Sequence, residues 1–365
     1  GDGLREKIRS KISGFKGHVQ ITNYDANNSD GSVIPIDKNQ KFYPSFSNIE
    51  GIKNVQVYAN QVGLIRTKTD FEGIIFKGVS SDYDWTFFKE YLISGSLPNF
   101  NQKRTRDILL SSTVINRLKL QLNDTINVTF FKNNTNKLPS NRKLVIVGVY
   151  DTGFLEFDKN MMIGDIRQVQ RLNKWKSNEV GGFEIILENF DDLSLKGNEI
   201  YREIDSTLDA TTIAAKYPAL FEWIELFDNN TWFIIIIMIL VAGINMITAL
   251  LVLILERIPM VGILKSLGST NWSIRKIFLY NASYLIFIGL FWGNLVGLTL
   301  LFIQKYGGFI TLDPATYYVS EVPVSINLLS IVLLNIGTLI VCFVMLIIPS
   351  IIITKIEPSK SIKFA

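Results

Sequence analysis

Long uncharged runs at one end of this chain and short alternating ones at the other predict two different kinds of structure. Trp232–Leu255 carries 24 residues without a charge, Ile277–Ile303 carries 27 and Val324–Thr354 carries 31. Each exceeds the roughly 20 residues that cross a bilayer as a helix. The pattern therefore predicts three spans, about 232–255, 277–303 and 324–354, in a transmembrane domain over 229–365. Before Asn229 the runs are short. β-Branched or alternating stretches at His18–Ile21, Val55–Ile65, Gly73–Val79, Thr125–Phe130, Leu144–Tyr150 and Phe183–Leu187 predict strands. Ser111–Leu120, Asp165–Leu172 and Asn198–Leu208 predict helices. The two kinds follow one another without a βαβ rhythm, which gives an α+β domain over 1–228 with helical stalks at both ends. Polar stretches at Asn23–Asp30 and Lys132–Arg142 have turn composition.

Charge predicts the orientation of the spans. The loop 256–276 holds Arg257, Lys265, Arg275 and Lys276, and the tail holds Lys355, Lys360 and Lys363, whereas the loop 304–323 has Lys305 alone. Positive loops stay in the cytoplasm, so the loop 256–276 and the C-terminus are expected inside and the 1–228 domain outside. A domain of that size needs a hydrophobic signal to cross, yet Gly1–Phe15 is charged and has no apolar core. A fourth span, first in order, is therefore expected upstream of Gly1, with Gly1–Gly17 as its helical exit. From Asn229 onward eight Lys/Arg face four acids, leaving 29 of each sign before it. A neutral soluble part argues against a nucleic-acid groove.

Composition removes much catalytic chemistry. One Cys and one His are too few for a zinc cluster or a disulfide framework. Asp82 with Asp84, Glu156 with Asp158, and Asp191 with Asp192 have no second catalytic group beside them and read as solvated surface. His18 reads as satisfying a strand-end hydrogen bond and Cys342 as a small apolar filler. The spans hold no Asp, Glu, Lys, Arg or His, so the sequence gives an ion or proton relay no support. Asn245, Thr248, Asn281, Asn294 and Asn335 read as interhelical hydrogen-bonding groups, and Gly289, Gly293 and Gly297 as a stripe for close helix contact.

The loop after the first span reads ERIPMVGILKSLGSTNWSIRKIF from Glu256. Pro259 is placed to open a helix, Met260, Val261, Ile263, Leu264 and Leu267 give it an apolar side, and Gly262 lies among them. Lys265 keeps one face wet and Gly268 can supply a left-handed stop. Such a helix is either a linker resting on headgroups or a knob for another protein's groove. The run NMITALLVLILERIPMVGILKSLGSTNWSIRKIFL (Asn245–Leu279) resembles the signature of FtsX/MacB-type permeases of ABC transporters, and among them the lipoprotein-releasing LolC/LolE branch. GLREKIRSKISGFKGHVQI (Gly3–Ile21) is similar to the family's exit from its first span, and KLVIVGVYDTGFLEFD (Lys143–Asp158) to its periplasmic core. LDPATYYVSEVPV (Leu312–Val324) resembles the outer loop before the last span, and EPSKSIKF (Glu357–Phe364) the C-terminal end.

That resemblance implies a MacB-like periplasmic core on a four-span permease in the bacterial inner membrane. It implies that Pro259–Gly268 is the coupling helix that receives the stroke of a cytoplasmic, LolD-like ABC ATPase. The sequence has no G-x-x-x-x-G-K-[ST] phosphate cradle, so ATP and Mg are expected in that partner; the chain itself is expected to be neither an enzyme nor a cofactor carrier. A second permease subunit, the same chain or a sibling, completes the implied assembly. Lipoproteins are the implied substrates, passed to a LolA-like periplasmic carrier. The family's carrier-docking hairpin would correspond to Phe131–Lys143, with Pro139, Ser140 and Arg142 as candidates, although an ordinary polar hairpin has the same composition. Trp223, Phe227, Trp232, Ile234 and Met238 are candidates for a substrate cavity, or for a lipid-facing helix. Two other functions stay open: an efflux, peptide-export or hydrolase-regulating permease of the same type, and a membrane receptor or scaffold without ATP coupling.

Overall fold

The alternating stretches fold as strands, several of them covered on both faces. The structure, a computed structural model, describes residues 2–26, 31–32, 34–101, 103–131 and 138–350. Its first elements are α1 (Asp2–Lys16), β1 (Val19–Asn23), β2 (Ile36–Asp37), β3 (Ile52–Arg66), β4 (Phe71–Val79), α2 (Thr86–Glu90) and β5 (Leu92–Gly95). There follow β6 (Asp107–Ser111), α3 (Ser112–Leu118), β7 (Thr125–Phe130), β8 (Ser140–Tyr150), α4 (Leu155–Asp158), β9 (Met161–Asp165) and α5 (Ile166–Asn173). Next come β10 (Glu179–Val180), β11 (Gly182–Leu187), α6 (Leu193–Glu203), β12 (Leu208–Thr212) and α7 (Ile213–Lys216). The remaining helices are α8 (Pro218–Glu256), α9 (Ile258–Ser266), α10 (Asn271–Gly307), α11 (Pro314–Tyr317) and α12 (Leu328–Ser350). Two compact units result. One contains Leu4–Glu222 and Thr311–Glu321, the other Asp2, Gly3, Trp223–Ile310 and the described residues from Val322 on.

In the first unit a ring of six strands closes in the order β3-β4-β9-β6-β8-β7 and back to β3. Two long strands make the closure. β3 takes β4 along one edge and β11 then β7 along the other; β8 takes β6 along one edge and β7 then β5 along the other. Outside the ring, β11, β1 and β12 extend the sheet antiparallel. Phe76 and Phe130 meet edge to face, centroids 5.6 Å apart. Gly164 and Gly63 leave the room those rings occupy, since a Cβ would stand 2.6 Å from Phe76 and 2.9 Å from Phe130.

β3 is buried from Val55 to Gln61, so its polar side chains need partners. Gln20 of β1, Glu184 of β11 and Gln56 of β3 are successive cross-strand neighbours. Glu184 accepts from Gln20 Nε2 at 3.3 Å, Gln56 Nε2 at 3.0 Å and Lys77 Nζ at 2.7 Å, and the Lys77 and Glu184 side chains are each 1 % exposed. Lys77 Nζ also donates to the Phe15 carbonyl at 2.6 Å, and Gln20 Nε2 to the Lys16 carbonyl at 3.0 Å. These are orphan acceptors in the last turn of α1. From α7, Lys216 Nζ donates to Gln20 Oε1 at 2.7 Å. One charged centre thus holds the end of α1 and the short helix that leads into α8.

Several expectations change. The helix expected over Asn198–Leu208 is α6, displaced to Leu193–Glu203, and Leu208 instead opens β12. Gly197, a weak helix residue, lies where a Cβ would meet Thr212 Cγ2 at 2.5 Å, and that close packing outweighs propensity. Asp158, expected on a solvated surface, is buried: its carboxylate accepts from Thr152 N–H and Oγ1–H at 3.1 and 2.8 Å. Burial pushes its pKa up to about 6. His18 does satisfy a strand end, Nδ1 accepting from Leu187 N–H at 3.1 Å. Residues 132–137, in the middle of the expected hairpin, and 27–30 of the Asn-rich turn lie outside the described residues.

In the second unit α8, α10 and Leu328–Ile347 of α12 are long and apolar enough to cross a membrane. α12 starts at Leu328 rather than Val324 because Asn327 caps it, Oδ1 accepting from Leu329 N–H at 2.9 Å; residues 351–354 lie outside the described residues. Asn294 and Asn335 exchange side-chain hydrogen bonds at 2.6 and 3.1 Å, joining α10 to α12. The glycine stripe makes no close contact within the chain, nothing described lying within 4 Å of a Cβ at Gly289, Gly293 or Gly297. Close approach occurs instead at Gly243, where a Cβ would meet Met345 Sδ at 1.6 Å.

Candidate functional site

The loop between α8 and α10 builds a short, externally presented helix. α8 ends at Glu256, and α9 restarts with Pro259 in its first turn, where a missing N–H costs nothing. At its end Gly268 takes φ +90°. Gly268 N–H donates to the Lys265 carbonyl and Ser269 N–H to the Leu264 carbonyl, both at 3.0 Å, the paired bonds of a Schellman stop. Thr270 then caps α10, Oγ1 accepting from Ser273 N–H at 3.2 Å.

One side of α9 is fixed and the other is open. Val261 is fully buried in a cluster with Leu250 and Ile254 of α8, Ile274 and Phe278 of α10, and Leu346 of α12. Met260 and Leu264 pack against the same cluster, and Gly262 is buried. Pro259, Ile263 and Leu267, at i, i+4 and i+8, form an exposed apolar stripe; Leu267 is 78 % exposed. The sequence placed five apolar residues on one side of this helix, but the structure divides them, because the adjoining spans claim Met260, Val261 and Leu264. Lys265 is half-buried. Close by, Trp272 stands 58 % exposed with Arg275 and Lys276 each 5.7 Å from its ring centroid.

The other nominated residues fall elsewhere. Trp223 is half-buried, whereas Trp232, Ile234 and Met238 are exposed on α8, off its inward stripe of Ile235, Ile239 and Gly243. The Phe227 side chain lies outside the described residues. Pro139 is exposed just before β8, and Ser140 and Arg142 are part of β8, paired with Phe130 and Val128 of β7. Burial, with the charges of Arg171 and Arg104, holds the Arg142 guanidinium below its usual range. Sequence reasoning missed Trp272 and the Lys77–Glu184 centre. The signal for the latter was present: Lys77 follows the apolar run Gly73–Phe76 of β4, and Glu184 is the one charge in β11.

Three apolar helices among the described residues, a tightly stopped loop helix between the first two, and a separate mixed α/β unit are the features of a multi-pass membrane protein. Residues 232–358 match the family described as FtsX-like permease C-terminal. It is 21% identical to the lipoprotein-releasing system transmembrane protein LolC of Neisseria meningitidis, over 100% of this chain and 88% of that protein. It is 20% identical to the LolC of Buchnera aphidicola, over 98% and 87% respectively. Among solved structures, the periplasmic region of MacB from Actinobacillus actinomycetemcomitans superposes with a TM-score of 0.39 at 14% identity, covering 61% of this chain and 97% of that one.

Proposed function

We propose that this chain is the membrane subunit of an ATP-driven ABC complex that releases lipoproteins from the bacterial inner membrane. In this reading the 1–228 domain is periplasmic, the loop 256–276 is cytoplasmic, and α9 is the coupling helix on which a LolD-like ATPase pushes. The observation that carries it is the division of α9. Val261 is locked into side chains from three spans, so a push on the helix is passed to all three, while Pro259, Ile263 and Leu267 remain free to enter an apolar groove. ATP and Mg belong to the ATPase. Ile234 and Met238 on one exposed face of α8, with Trp232 on another and Trp223 nearer the start of the helix, offer acyl chains an apolar shelter, where each buried CH₂ contributes about 0.8 kcal/mol. A second permease subunit would close that shelter. Pro139, Ser140 and Arg142 are the proposed contact for a LolA-like carrier.

Ile263→Asp and Leu267→Asp test the coupling role without disturbing the anchored side. A charge forced into an apolar contact costs about 3–5 kcal/mol, so co-purification with the ATPase should fall at least a hundredfold while membrane insertion is retained. Normal co-purification, with full ATP-dependent release of lipoprotein from proteoliposomes, would overturn the assignment. Photocrosslinkers at Trp232 or Met238 that capture no lipoprotein before ATP is added would redirect the reading to another permease of the same type.

A further inference from the structure

The first turns of α10 carry chemistry that the exposed stripe of α9 does not use. Trp272, Lys276, Tyr280, Tyr284, Phe287 and Phe291 recur every three or four residues and therefore share one face of the helix. All six are exposed. At one end of that face Arg275 and Lys276 stand beside the Trp272 ring. The uncharged run of α10 opens at the next residue, Ile277, and no Asp or Glu occurs from Arg257 to Leu312. Cations and an indole at the mouth of a span suit the headgroup layer of a bilayer, and cations there attract anionic lipid. The lower part of the same face is aromatic and enters the span, where an acidic protein surface would find nothing to pair with.

We propose that this face binds an anionic phospholipid, with the phosphate at Lys276 and Arg275 beside Trp272 and an acyl chain along Tyr284, Phe287 and Phe291. The site requires only that α10 spans the membrane, so it stands or falls separately from the coupling role of α9. Each cation is worth about a fivefold preference for anionic over zwitterionic lipid.

The test is bromolipid quenching of the full chain in vesicles of phosphatidylcholine and phosphatidylglycerol, with bromine on the acyl chains of one lipid or the other at equal density. The Trp272 signal is the difference between wild type and Trp272→Phe. Brominated phosphatidylglycerol should quench it more strongly. Lys276→Gln should reduce the preference about fivefold, Arg275→Gln with it should remove most of the rest, and Lys276→Arg should preserve it. Millimolar inorganic phosphate should leave the preference intact. Equal quenching by both lipids, a preference indifferent to Lys276→Gln and Arg275→Gln, or its abolition by phosphate would each overturn the proposal, the last by identifying a free-anion site. Trp272 protected from both lipids by a bound acidic protein would overturn it as well.

Discussion

Lys77→Met attacks the charged centre of the first unit, and its cost can be worked from the contacts. Lys77 and Glu184 pair at 2.7 Å with almost no solvent exposure. Removing one partner of such a pair leaves a buried lone charge, worth about 3–5 kcal/mol of lost stability. The same change orphans the Phe15 carbonyl at the end of α1. Glu184→Met alone should cost a similar amount, because the Lys77 ammonium is then left among the Tyr58 and Tyr83 rings with only the Phe15 carbonyl. In the double variant no charge stays buried. Its residual loss is that of the Phe15 carbonyl and Gln56 Nε2, about 1–3 kcal/mol each. The expectation is a strongly non-additive cycle, in which the double variant recovers at least about 2 kcal/mol of the two single losses. Denaturant unfolding of the full-length chain in detergent measures it. Additive losses, or a Lys77→Met variant within about 0.5 kcal/mol of wild type, would refute the view that the pair acts as a unit.

Two further outcomes are expected. Burial raises the Asp158 pKa to about 6, above its unfolded value of about 3.9, so its contribution is fully present below pH 3.9 and is lost as pH rises through 6. Asp158→Asn should therefore stabilise the chain at pH 8, by up to about 3 kcal/mol, and the gain should vanish near pH 4; thermal midpoints at the two pH values check it. Gly268→Ala places a Cβ at φ +90° and should loosen the end of α9 by about 1–2 kcal/mol, read as faster amide exchange at Gly268 and Ser269, whose N–H groups close the stop.

Elements with a single dominant signal were legible in the sequence. The spans at 232–255 and 277–303 lie within α8 and α10, and Pro259 and Gly268 bracket α9, because uncharged length, a first-turn proline and a left-handed glycine each act locally. Strand positions were legible for the same reason, as with Thr125–Phe130, which is β7 to the residue. What failed depends on neighbours distant in sequence. α6 is displaced because Gly197 packs on Thr212. Asp158 is buried because Thr152 supplies both its donors. The apolar residues of α9 could be named but not divided, since only the folded spans decide that Val261 is covered and Leu267 is not. The closure of six strands into a ring was likewise invisible, because it depends on β3 and β8 each taking two partners along one edge.

The chain passes between its two units four times, after Gly3, Glu222, Ile310 and Glu321. Linkers that merely tether a domain are rich in Gly and Ser and leave their ends free; within the first unit each of these passages is fastened instead. Lys77 holds α1 by the Phe15 carbonyl, and Lys216 holds α7 through Gln20. The segment Thr311–Glu321 is closed on itself by pairing of its two end residues. It is fixed to α1 by Lys11 Nζ, which donates to the Tyr318 carbonyl at 3.0 Å, and to the region before α4 by the Tyr318 ring, 5.1 Å from Phe154. Lys11 is buried enough that its pKa falls to about 8, so the ammonium still predominates at neutral pH and the bond keeps its charge assistance. A displacement delivered to α9 can do work on the first unit only if the passages are stiff, since a slack linker would absorb it. Buried or charge-assisted contacts on the segments that adjoin these passages are what the proposed mechanism requires.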